Sequence, residues 1–175
     1  MGSGQVDRVP GAQSGGDTKG RGKTLPAGKY HLRNLRFLGD FMTALGLTTT
    51  TAAQRAGFTQ VTVYYWLKKD NARLSSVERL INAWGYSLSF ELVPPEEPES
   101  IVCIEMPDQK RLSFLERAIA GTDRADLQKR IGVGTTTIYY WLSHDDIFIS
   151  HIFNVAEAIG RKVKVTIRPA NKNIT

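Results

Sequence analysis

The sequence predicts a mainly α fold: two tandem helical units, each followed by a β-strand, with the strands joining one small shared sheet. Three observations predict it. The stretch Gly57–Leu67 (GFTQVTVYYWL) returns as Gly132–Leu142 (GVGTTTIYYWL) at a constant offset of 75 residues. The match continues beyond the motif, with Arg55 and Arg130, Asp70 and Asp145, Ser75 and Ser150, Ala83 and Ala158, and Gly85 and Gly160 in register. Such self-similarity marks two copies of one supersecondary unit. After each copy the apolar period changes from 3.6 to 2, as it does where a helix gives way to a half-buried strand.

Taken in order, residues 1–29 are rich in Gly, carry five basic side chains and have too little apolar content to bury a core. They read as a disordered basic tail, either an arm for phosphates or a solvated leader. Residues 30–93 form the first unit. Leu35, Leu38, Phe41, Met42 and Leu45 share a helical face across Leu32–Leu45, before Gly46. The run Thr48–Thr51 supplies capping hydroxyls for a helix ending at Ala56. A third helix follows over Gln60–Lys69, and Ser75 is expected to cap a fourth, Ser76–Trp84. Tyr86, Leu88, Phe90 and Leu92 then alternate with Ser87, Ser89 and Glu91, a strand over Tyr86–Val93.

Residues 94–109 are an acidic, Pro-rich linker with a further strand expected at Ile101–Glu105. Residues 110–170 repeat the pattern. Helices are expected over Lys110–Ala120, Arg124–Ile131, Thr135–Ser143 and Ser150–Ile159, and a strand over Lys162–Arg168. Residues 171–175 are a short tail. Neither strand can stand alone, because its backbone donors and acceptors need a neighbour, so the two are expected to pair within the chain.

A short helix, a glycine and a second helix is the helix-turn-helix pattern. Gly57 and Gly132 sit where the chain must reverse in a left-handed conformation that a Cβ would strain. Thr59 can cap the next helix; Gly134, its counterpart, does so more weakly. On that helix Val63, Trp66 and Leu67, then Ile138, Trp141 and Leu142, form the buried stripe. The Trp residues are core. Adjacent tyrosines cannot both face one core, so at least one of each Tyr-Tyr pair looks outward. The opposite side presents Val61, Tyr65 and Lys68, with Gln60 and Tyr64 at the flank, in the first copy, and Thr136, Tyr140 and Ser143, flanked by Thr135 and Tyr139, in the second.

Each repeat resembles the DNA-binding domain of the Cro/CI (XRE) repressor family, a lambda-repressor-like helical domain. The resemblance rests on Ala52-Ala53-Gln54-Arg55-Ala56-Gly57-Phe58-Thr59 with Val63, Trp66 and Ala83-Trp84-Gly85. It is repeated in Leu127-Gln128-Lys129-Arg130-Ile131-Gly132-Val133-Gly134 with Ile138, Trp141 and Ala158-Ile159-Gly160. It covers about two thirds of the chain. It implies a sequence-specific regulator of bacterial or phage genes that places two recognition helices about one turn of DNA apart, roughly 34 Å. On that implication Gln60, Val61, Tyr65, Thr135, Thr136 and Tyr140 read bases, while Thr49, Arg55, Thr59, Lys68, Arg124, Lys129 and Arg130 contact phosphates. Two departures stand out. Gln128 replaces the small residue usual where the motif helices touch, and Thr49 and Arg124 replace the usual phosphate-clamping Gln. A tandem chain builds the dimer within one polypeptide, so its two half-sites are expected to differ.

Composition agrees with a polyanion partner. The net charge is +6, distributed as +3 to His31, +3 over 32–93, −5 over 94–109 and +4 over 110–170, with Lys172 making up the rest. Cys103 is the single cysteine, which excludes a disulfide framework or cysteine-based zinc site, and the three His lack ligand spacing. No membrane span, signal peptide, cofactor loop, paired carboxylates or clustered nucleophile appears. The expectation is a cytoplasmic, nucleoid-associated protein without enzymatic activity, metal, cofactor or small-molecule substrate. The competing class is a protein-interaction module on the same scaffold, such as an antitoxin or a phage assembly factor, since outward Tyr and Trp also suit a protein interface.

Overall fold

A computed structural model describes residues 31–96 and 110–170, and no helix among them is long and apolar enough to cross a membrane. The described chain is mainly helical with one two-stranded antiparallel sheet. The first half contains α1 (Arg36–Ala44), α2 (Thr49–Ala56), α3 (Gln60–Lys69), α4 (Leu74–Ala83) and β1 (Tyr86–Val93). The second contains α5 (Ser113–Ile119), α6 (Arg124–Ile131), α7 (Thr135–His144), α8 (Ile149–Ala158) and β2 (Lys162–Pro169). The strand expected at Ile101–Glu105 lies outside the described residues, as do both tails.

Local chemistry accounts for the boundaries. Thr48 caps α2 in a capping box with Thr51, and Thr59 caps α3 by accepting from the Thr62 N–H at 3.2 Å. Gly57 (φ 72°) and Gly132 (φ 69°) close α2 and α6 in the left-handed region. A side chain at Gly57 would also meet the Arg79 guanidinium at 2.8 Å. Asp70 and Asp145 take the same conformation after α3 and α7, a position Asp tolerates through its short polar side chain.

The first helices are shorter than expected, for one reason. The Asp70 carboxylate accepts the N–H groups of Arg33, Asn34 and Leu35, and Asp145 accepts those of Arg111 and Leu112. These segments are therefore held by a distant carboxylate as lead-ins, and the helices begin after them. The offset is also 77 residues here, pairing Phe37 with Phe114 and Leu38 with Leu115, because α5 is two residues shorter than α1 (7 against 9) while the loops that follow them are equal.

Ser75 does not cap α4. The helix begins at Leu74, with Arg73 at the cap position and no side-chain cap of its own. Its free N–H groups are satisfied by the other half: Leu74 donates to the Ile147 carbonyl at 2.8 Å, and Ser75 donates through N–H and Oγ to the Asp146 carboxylate. The arrangement is reciprocated at α8, where Ile149 donates to the Ala72 carbonyl and Ser150 to Asn71 Oδ1. Each fourth helix is thus capped across the interface between halves.

An approximate twofold axis relates the halves. In the sheet Phe90 pairs with Val165, its own counterpart at the 75-residue offset, and the register is symmetric about that pair. A separate bridge pairs Arg73 with Phe148, again counterparts at the same offset. The sheet's inner face carries Tyr86, Leu88, Phe90 and Leu92 opposite Ile167, Val165 and Val163. Phe90 is buried on the axis between Phe37 (centroids 5.5 Å, edge-on) and Phe114 (6.0 Å, stacked), the two related first-helix aromatics. The core runs without a break through both halves.

Candidate nucleic-acid interface

The α2–α3 and α6–α7 pairs position the site. Ala53 is fully buried in the first half, where α2 meets α3. Gln128 stands at the corresponding place in the second and remains only half-buried, its amide hydrogen-bonded to Thr135 Oγ1. The bulky side chain is accommodated at the rim of the helix pair and ties one expected reading residue to α6.

The expected stripe is buried in part, since Leu142 and Trp66 are only half-buried. Val63, Leu67, Ile138 and Trp141 are buried, and Trp66 is half-buried, edge-on to Phe58 at 4.9 Å. The opposite face of α3 leaves Gln60, Val61, Tyr65, Lys68 and Lys69 exposed. Tyr64 is half-buried, 5.6 Å from the Tyr65 ring and beneath the Lys68 ammonium at 5.8 Å. On α7, Thr135, Thr136, Tyr139, Tyr140 and Ser143 are exposed, and the Tyr140 ring stacks on His144 at 3.9 Å. The base-reading residues expected from sequence therefore lie together on one exposed stripe per half.

The expected phosphate contacts divide. Arg55, Thr59, Lys68, Arg124, Lys129 and Arg130 are exposed. Arg55 lies over the Trp84 ring at 4.6 Å. Arg124 donates to the Tyr139 hydroxyl at 2.7 Å while its guanidinium sits 5.0 Å from the centre of that ring. Arg130 is partly committed to Asp126 at 2.8 Å and to the Ala158 carbonyl. Thr49 is a correction: at the first position of α2 it is only 4% exposed, so it offers little surface to a phosphate. The first half accordingly lacks a side-chain counterpart to Arg124.

Sequence reasoning passed over three features of this surface. One is the Arg124–Tyr139 pair, which joins the start of α6 to α7. A second is Arg79, whose guanidinium lies 4.9 Å from the Phe58 ring beside the turn. The third is the Arg73–Phe148 pair on the axis, with the guanidinium 4.9 Å from the ring centre. The matching positions at the 75-residue offset were the one signal available for the last.

Beneath α7, the His151 ring lies 4.8 Å from Trp141 with its buried Nδ1 unpartnered among the described residues. Burial pushes its imidazole below the ordinary range. At Asp146 burial pushes the carboxyl up, but hydrogen bonds from Ser75, Arg73 and the Ile147 N–H outweigh it and hold the group below the usual carboxylate range. Among the described residues no cluster of His, Cys, Asp and Glu could hold a metal ion. No protein-family model, curated protein or solved structure matches the chain.

Proposed function

We propose that this chain is a sequence-specific double-stranded DNA-binding protein. In this reading it consists of two lambda-repressor-like helix-turn-helix domains in tandem and acts as a single-chain pseudo-dimer on two unlike half-sites, in the role of a bacterial or phage transcriptional regulator in the cytoplasm. The observation that carries the reading is the shared axis. The same approximate twofold passes through Phe90–Val165 and Arg73–Phe148, and it relates α3 to α7, each with an exposed polar and aromatic stripe. A protein that reads two successive major-groove segments needs that relation between its helices.

The stripes suit direct readout. Gln60 can take adenine bidentately, Val61 and Thr136 can meet a thymine methyl, and Tyr65 and Tyr140 can reach a base edge or phosphate. Thr135, tied to Gln128, gives the second half-site a different requirement. Arg55, Lys68, Lys129 and the Tyr139-backed Arg124 supply backbone contacts, so affinity falls with salt. No metal, cofactor or small-molecule substrate enters this reading.

Selection of bound sites from a random DNA pool, followed by mobility shifts at several salt concentrations, tests it. The expected result is a preferred site with two unlike halves and salt-sensitive affinity; equal binding to every sequence would reject it. The half-exposed Val61, Tyr65, Tyr139 and Tyr140 favour one second reading, a docking face for a protein. Co-purification of one protein at a one-to-one ratio, free of nucleic acid, would favour that reading instead.

A further inference from the structure

We infer that Arg73, backed by the ring of Phe148, reads the centre of the DNA site through the minor groove. This rests on the DNA-binding reading above. The pair is the second crossing point of the twofold axis. It follows α3 and α7 by only a few residues, through the left-handed Asp70 and Asp145, and so lies between the C-terminal ends of the two helices. The sheet closes the other end of the axis, with Phe90 turned inward onto Phe37 and Phe114. Leu74 and Ile149, which flank the bridge, are buried in the same core, whereas Phe148 is 40% exposed and the Arg73 side chain 46%.

With α3 and α7 in successive major grooves, the surface between them faces the minor groove at the middle of the site. A cation there is favoured where that groove is narrow and its potential most negative, as over A·T-rich steps. The Arg73 ion pair with Asp146 engages Nη1 at 3.3 Å. The guanidinium has five donors in all, and its carbon lies 4.9 Å from the Phe148 ring centre. The chain's asymmetry permits this. A homodimer would set the same residue against itself on the axis, arginine against arginine, at a cost in like-charge repulsion; here one arginine meets one phenylalanine.

The test uses the full chain and the site selected from the random pool, with the central base pairs set to A·T, G·C or inosine·cytosine. Inosine·cytosine keeps the major-groove edge of G·C but lacks the guanine amino group in the minor groove. The expected result is about tenfold weaker binding to the G·C centre, on the order of one mismatched pair, with inosine·cytosine restoring affinity. Arg73→Gln should bring the three centres within about twofold of one another while half-site preferences persist. Equal affinity for all three centres, inosine·cytosine behaving as G·C, or an unchanged preference in Arg73→Gln would overturn the inference and leave the DNA reading standing. A pool without any preferred half-site would overturn both. Should Arg73→Gln fail to fold by circular dichroism, the base-analogue arm decides with the unmodified protein.

Discussion

Gln60 differs from the other exposed groups on α3 and α7 in offering a donor and an acceptor from one planar amide, the geometry that discriminates adenine. Gln60→Ala is therefore expected to cost about 1–3 kcal/mol at one base position and little elsewhere. Affinities over a panel of single-base variants check this, and a uniform loss would remove Gln60 from the reading set. Stability should depend on pH through two groups lowered in the fold. A group so lowered binds protons more readily when unfolded, so the stability it confers falls as pH drops. For His151 that stability is complete above its ordinary value of about 6.5 and is lost as pH falls through its depressed folded value. For Asp146 it is complete above about 3.9 and is lost as pH falls through the lower value set by Ser75, Arg73 and Ile147. Thermal melts from pH 8 to pH 3 should decline in two stages, and His151→Gln should remove the upper one.

At the level of elements, the unlike half-sites follow from two positions at the start of each reading helix. Replacing Thr135 with Gln and Thr136 with Val gives α7 the opening residues of α3, and the tyrosines already match. The double variant is expected to shift the selected site towards a palindrome, and retention of the original asymmetric site would assign the difference to other residues. Asp146→Ala removes the cap of α4 and should destabilise the fold by about 1–2 kcal/mol, measured by urea denaturation. Helices bounded by local chemistry were legible in the sequence: α2, α3 and α6 end or begin at a left-handed glycine or a capping threonine. Where bonds come from far along the chain, the reading failed. Nothing near Leu32 announces that Asp70 will take its neighbours' N–H groups, and nothing near Ser75 announces Asp146. Thr49 illustrates a third difficulty, since four consecutive threonines offer no apolar contrast to mark the one that is buried. The exposed stripes on α3 and α7 were legible because helical periodicity separates them from Val63, Leu67, Ile138 and Trp141. The axis pair was not, because neither Arg73 nor Phe148 carries a local pattern.

For the molecule as a whole, the halves are expected to unfold together. Phe90 lies on the axis between aromatics from both, so Phe90→Ala should cost about 3–5 kcal/mol. A single urea transition seen alike by tryptophan fluorescence and circular dichroism is the expected outcome. Two separate transitions would show that the halves stand independently.

The reciprocal caps carry a consequence for biosynthesis. When the first half leaves the ribosome, the start of α4 has no acceptor for its amides, and Phe90 has no shelter from Phe114. Closure must wait for Asp146 and then for β2, the last described element. Translation intermediates stalled before Lys162 should accordingly be open to protease across both halves, and release of the following residues should bring protection to the whole at once.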